Sequence, residues 1–101
     1  SEASVNLMSR NHLSNEILSD GASFGIDGVG FGLTMAILMD AGISGTYSTD
    51  GEFSWGGAAS TIFWVDKKNN ITATLMTQYM PSDKYPLREE LKTLLYSGLS
   101  N

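Results

Sequence analysis

A chain of 101 residues holds one domain at most, with a small core. Its 42% apolar and 10% aromatic content is that of a globular chain, and a net charge of −5 with only six Lys and Arg argues against the clustered basic surface that nucleic acid requires. No apolar run approaches the roughly 20 residues that span a bilayer, no signal-peptide pattern opens the sequence, and the lack of cysteine removes disulfides, thiol catalysis and Cys-based zinc sites while leaving the redox compartment open.

The first predicted element is a short helix from about Glu2 to Arg10. Val5 and Met8 give it a thin apolar stripe, and its end charges suit the helix dipole. Asn11-His12 reads as a break, and Leu13 to Asp20 has room for a further turn. Asp20-Gly21-Ala22-Ser23 is a loop signal, and Gly25, Gly28, Gly30 and Gly32 punctuate the next stretch. Phe31, Leu33, Met35, Ile37 and Met39 then alternate with smaller residues, which predicts one strand from about Phe31 to Met39. Ile43 to Phe53, with Ser44-Gly45 and Asp50-Gly51, reads as a loop or an irregular connection.

Ser54 to Asp66 is the most informative run. It passes from Trp55-Gly56-Gly57 through small residues into Ile62-Phe63-Trp64-Val65, a β-branched and aromatic block that predicts a strand. Ile71 to Thr77 predicts its partner, with Asp66 and Lys67-Lys68-Asn69-Asn70 as the turn between them. Two glycines opening the first strand mark a place where another strand or a substrate approaches the backbone closely. The last element is a helix from Pro86 to Ser97. Ser82 or Asp83 is the expected cap, Pro86 lies in the first turn, Leu87, Leu91, Leu94 and Leu95 form one apolar stripe, and Gly98 stands at C′. The fold class is therefore α+β: an antiparallel sheet of about three strands flanked by an N-terminal and a C-terminal helix, all one segment.

Chemistry-bearing residues are few. Gly28-Val29-Gly30-Phe31-Gly32 leads into a strand, not a helix, so it reads as close backbone packing, not as a phosphate loop. His12 is the only histidine. No spacing pairs it with a Ser and an Asp, and it reads as a polar residue after a helix. Asp66 reads as a turn residue, Glu89 and Glu90 as solvated helix positions, and Asn70-Ile71-Thr72 as the start of a strand, not as a glycosylation acceptor. Trp64 reads as core. Trp55, at a strand entrance ahead of two glycines, lines a groove or joins the core.

Trp55-Gly56-Gly57-Ala58-Ala59-Ser60-Thr61 carries a family resemblance. So do Gly30-Phe31-Gly32-Leu33, Phe63-Trp64-Val65-Asp66 and Leu75-Met76-Thr77-Gln78. The chain resembles the C-terminal part of the serine β-lactamase and penicillin-binding-protein-like group, closest to class C β-lactamases and the family VIII carboxylesterases. The resemblance implies an antiparallel sheet with helices on both faces beside a helical subdomain. It implies acyl transfer from a β-lactam or ester by a Ser in Ser-x-x-Lys, aided by the Lys and by the Tyr of a Tyr-x-Asn motif. One His with scattered carboxylates argues against a metal site, and no cofactor is expected. The third motif of the family, Lys-Thr-Gly or His-Thr-Gly, falls on Trp55-Gly56-Gly57. By that correspondence Trp55, Gly56 and Gly57 contact substrate, and the Ala58 N–H joins the oxyanion hole.

The departures are informative. No Ser here has Lys three residues on, and no Tyr has Asn two residues on. The nucleophile and its proton handlers are expected on polypeptide N-terminal to Ser1, and the chain by itself is expected to be inactive. Trp55 in place of Lys removes the cation that would bind a β-lactam carboxylate, which favours ester or amide substrates. The sheet is expected to end in an open strand edge beside an exposed leucine stripe, to be met by the N-terminal remainder of the domain or by a second chain. Two other readings stand beside this one: a small non-catalytic binding or assembly module with that edge as its interaction face, and part of a catalytically dead homologue. The resemblance points to a bacterial source and leaves the compartment open between periplasm and cytoplasm.

Overall fold

The computed structural model describes residues 1–19 and 26–99. The expected loop at Asp20-Gly21-Ala22-Ser23 and the glycine at Gly25 lie outside the described residues. Five strands form one antiparallel sheet in chain order: β1 Val29–Phe31, β2 Ala36–Leu38, β3 Phe53–Gly56, β4 Ile62–Asp66 and β5 Ile71–Leu75. Among the described residues four helices accompany it: α1 Glu2–Met8, α2 Asn15–Ser19, α3 Ala41–Ser44 and α4 Leu87–Gly98. The α+β class is as expected, with five described strands where about three were predicted.

The two extra strands have a physical origin. The alternating run from Phe31 to Met39 is not one strand. It folds back on itself, pairing Val29 with Leu38 and Phe31 with Ala36. The reversal is closed by the Gly32 N–H donating to Met35 O at 2.8 Å. The Leu33 N–H then donates to Met8 O at 3.2 Å, satisfying a carbonyl that the end of α1 leaves orphaned. A Cβ on Gly32 would collide with that same carbonyl, so this glycine admits the backbone of α1. The second correction concerns the strand expected to open at Trp55. Trp55 and Gly56 end β3, residues 57–61 turn the chain, and the apolar block alone forms β4. In the stretch read as a loop, Asp40 caps the one-turn helix α3 by accepting from the Ile43 N–H at 2.9 Å.

Register places Ser54, Trp64 and Ala73 on one face of the sheet and Phe53 and Val65 on the other. Trp64 is fully buried on the first face, where the Lys92 ammonium of α4 lies 5.2 Å from its ring centre. On the second face Lys67 stands 5.9 Å over Phe53 and donates to Asn6 Oδ1 and Ser9 Oγ at the end of α1. Helices thus cover both faces. The edge at β1 is covered too, because the His12 N–H donates to Phe31 O and the Phe31 N–H to Asn11 Oδ1. At the other end β5 pairs with β4 alone among the described residues.

Helix α4 reaches the sheet with polar side chains. It turns Arg88, Lys92 and Tyr96 inward, at i, i+4 and i+8, because buried acceptors wait there: Gly57 O, Glu52 and Asp66. Leu94 is left 72% exposed, and Leu87, Leu91 and Leu95 are half-buried. The expected caps also differ. Pro86 is the N-cap without a side-chain bond, and Gly98 is the last helical residue instead of C′.

Candidate functional site

The run that carries the resemblance is a tight turn between β3 and β4. The Gly57 N–H donates to Thr61 O at 3.0 Å, and the Ser60 N–H to Gly57 O at 3.2 Å. Ala58 and Ala59 are the two central residues, and Ser60 follows in the left-handed region at φ 70°. That conformation costs a non-glycine residue about 1–2 kcal/mol. Ser60 is buried, and its hydroxyl donates to Tyr79 O at 2.6 Å, a bond of about 1 kcal/mol that offsets much of the cost.

The rest of the protein then binds the turn from two sides. From the segment after β5, the Tyr79 N–H donates to Ala59 O at 3.1 Å, and the Thr77 hydroxyl donates to the same oxygen. From α4, Arg88 Nη2 donates to Gly57 O at 3.0 Å and to Thr61 O at 2.9 Å. The carbonyls of residues 57, 59 and 61 are therefore all occupied. The Ala58 N–H donates to nothing among the described residues, and Ala58 is exposed. Among the turn's N–H groups, those of Gly57 and Ser60 close it, and that of Ala58 is an unengaged donor on an exposed residue.

The two glycines have separate reasons. A Cβ on Gly56 would stand 2.7 Å from Arg88 Nη2 and 2.9 Å from Thr61 O. A Cβ on Gly57 would collide with the Thr61 hydroxyl. What approaches this backbone is the Arg88 head, the Thr61 carbonyl and the Thr61 side chain.

The predicted site residues are thus brought into one strand end and turn. Trp55 is 42% exposed and meets Phe31 edge-on at 5.6 Å. Together with Gly56 it lines a cavity of about 500 Å³ beneath the start of α4, whose walls include Val29, Leu38, Ser54 and Arg88. Gly57 and Ala58 lie beyond it, on the turn. His12 is remote from this constellation in role: its Nε2 donates to Leu7 O at 2.7 Å. Glu89 and Glu90 are exposed on α4. Among the described residues no cluster of His, Cys, Asp or Glu could hold a metal ion.

Ionisable groups behind the turn anchor α4. Glu52 is 2% exposed, bonded to Lys92 and to the Ser48 hydroxyl. Burial pushes its carboxyl above the usual range, against the pull of Lys92. Asp66 is 1% exposed. Burial pushes its carboxyl up too, but Asn69 and Tyr96 donate to it, and these hydrogen bonds hold it below the usual range. Burial raises the Tyr96 hydroxyl, which donates to Asp66 Oδ2 at 2.8 Å. The sequence reading missed Arg88, Ser60 and Thr77 as holders of the turn. No spacing marks them, because each acts across the fold.

No family model matches the chain, and no curated protein matches it in sequence. Solved structures do. EstCE1, a hydrolase with promiscuous acyltransferase activity, superposes with a TM-score of 0.77 at 23% identity, covering 93% of this chain and 24% of that one. Unliganded simvastatin synthase (LovD) from Aspergillus terreus gives 0.74 at 17% identity, covering 100% of this chain and 29% of that one, in its selenomethionyl form. The chain thus spans about a quarter of the length of the structures it matches. Identities this low establish the fold: the chain carries part of the serine β-lactamase-like fold, the one its motifs resemble.

Proposed function

We propose that this chain is the C-terminal part of a serine hydrolase of the β-lactamase-like fold, supplying the third-motif strand and one wall of the oxyanion hole. The observation that carries the reading is the Ala58 N–H, an exposed and unengaged donor on a turn whose Gly57, Ala59 and Thr61 carbonyls are bound. A donor fixed in that way costs no reorganisation when an oxyanion forms against it. The hydrolase and acyltransferase neighbours make a small acyl compound the natural substrate class. Trp55 offers a wall and no cation, which favours an ester over a β-lactam carrying a carboxylate. The nucleophile and its proton handlers belong to polypeptide outside this sequence, since neither Ser-x-x-Lys nor Tyr-x-Asn occurs in it.

The test is hydrolysis of a short-chain nitrophenyl ester. The isolated chain is expected to show no turnover and no adduct with a serine-directed fluorophosphonate. Turnover is expected once a polypeptide bearing Ser-x-x-Lys and Tyr-x-Asn is supplied. Turnover with serine labelling in the isolated chain would refute the reading.

A second reading, a binding or assembly module, draws on the one-sided pairing of β5 and the exposure of Leu94 and Met76. The parent gene distinguishes them. The hydrolase reading requires Ser-x-x-Lys and Tyr-x-Asn upstream, whereas a module of this kind is encoded without either.

A further inference from the structure

We propose that Arg88 is the positioning residue of the oxyanion donor: its guanidinium fixes the β3–β4 turn and polarises the peptide unit that carries the Ala58 N–H. The proposal rests on the oxyanion role of Ala58 proposed for this chain. The Gly57 carbonyl and the Ala58 N–H are the two ends of one amide. A charged donor on that oxygen draws electron density towards it and makes the N–H at the other end a stronger donor. Arg88 Nη2 makes this bond at 3.0 Å and reaches Thr61 O at 2.9 Å, so one group grips both legs of the turn.

The surroundings are built for that grip. Gly56 lets the guanidinium lie against the strand, since a Cβ there would stand 2.8 Å from its central carbon. Arg88 Nε is buried without a partner among the described residues, so the hydrogen bonds the head makes within them all go to the turn. One and two turns further along α4, Lys92 holds Glu52 and Tyr96 holds Asp66, which keeps the arginine stem in register with the sheet. A lysine in this place would present a point charge without the planar fork.

The experiment has two arms. In the labelled chain, Arg88→Met retains the apolar stem and loses the charge. The Gly57 and Thr61 carbonyl carbons and the Ala58 and Ile62 amide signals are expected to move upfield in the NMR spectrum, while the amides from Phe63 to Asp66 and those of β5 stay in place. Arg88→Lys is expected to recover part of the shift. If Arg88→Met does not fold, Gly56→Ala displaces the guanidinium and gives the same readout. In the enzyme assembled with its nucleophile, Arg88→Met is expected to lower kcat about tenfold at unchanged KM, less than the roughly 10²–10³ lost with an oxyanion donor itself, and added guanidinium is expected to restore part of it. Signals that stay put overturn the role of Arg88 whatever the kinetics. Signals that move while kcat does not leave Arg88 polarising the amide and overturn Ala58 as the oxyanion donor.

Discussion

Strand β4 has a turn at each end, and the two are held in opposite ways. The β4–β5 turn is self-sufficient. Asp66 Oδ1 accepts from the Asn69 N–H at 3.1 Å and Oδ2 from Asn69 Nδ2 at 2.8 Å, and Asn70 takes the left-handed conformation at φ 56°. The β3–β4 turn holds itself only in part. Its remaining bonds are made with Arg88, 27 and 31 residues away, with Thr77, 18 residues away, and with Tyr79, 19 residues from Ser60. A local turn closes a hairpin and presents little else. A turn held from outside can keep one backbone donor exposed in a fixed direction, which a catalytic frame requires. Both turns meet α4, through Arg88 at its start and Tyr96 near its end.

The comparison can be broken most severely at that shared helix. Lys92→Met leaves Glu52 buried without its cation and is expected to destabilise the fold by about 3–5 kcal/mol in urea titrations. It should loosen both turns together. Pairing it with Glu52→Gln should recover part of the loss. A single loosened turn would show that α4 does not couple them.

Asp66→Asn attacks the local turn and is expected to cost about 1–3 kcal/mol at neutral pH. The sign of its pH dependence is set by the direction of the shift. The Asp66 carboxyl is held below its ordinary value when folded, so its stabilisation is present above the unfolded pKa of about 3.9 and is lost as pH falls through the folded value. The gap between the two proteins should therefore close below about pH 4. Glu52 works the other way. Its folded pKa is raised, so its contribution favours acid and is lost as pH rises through the folded value. The smallest effect is expected at Asn70→Gly, within about 0.5 kcal/mol, because glycine adopts the same left-handed backbone.

The contrast also explains what could be read in advance. Asp66 to Asn70 announced its turn because the atoms that close it lie within four residues of one another. Ala58-Ala59-Ser60 contains no turn dipeptide, so it passed for the opening of a strand, and the bonds that bend it come from remote segments. Helix α4 was legible from its leucines. Its orientation was not, since Glu52, Asp66 and the Gly57 carbonyl draw Arg88, Lys92 and Tyr96 inward and leave Leu94 in solvent. Trp55, Gly56, Gly57 and Ala58 were singled out through family resemblance. Their arrangement on one strand end and turn is a property of the fold, and Arg88 carried no signal at all.

The most direct measurement is kcat for Ala58→Pro in the enzyme assembled with its nucleophile. Ala58 occupies the first central position of the turn, where proline is favoured, and its N–H closes no bond among the described residues, so that proline removes the donor without breaking the turn. The account predicts that kcat falls by about 10²–10³ with KM unchanged and the Gly57–Thr61 bond intact. An unaltered kcat would contradict it.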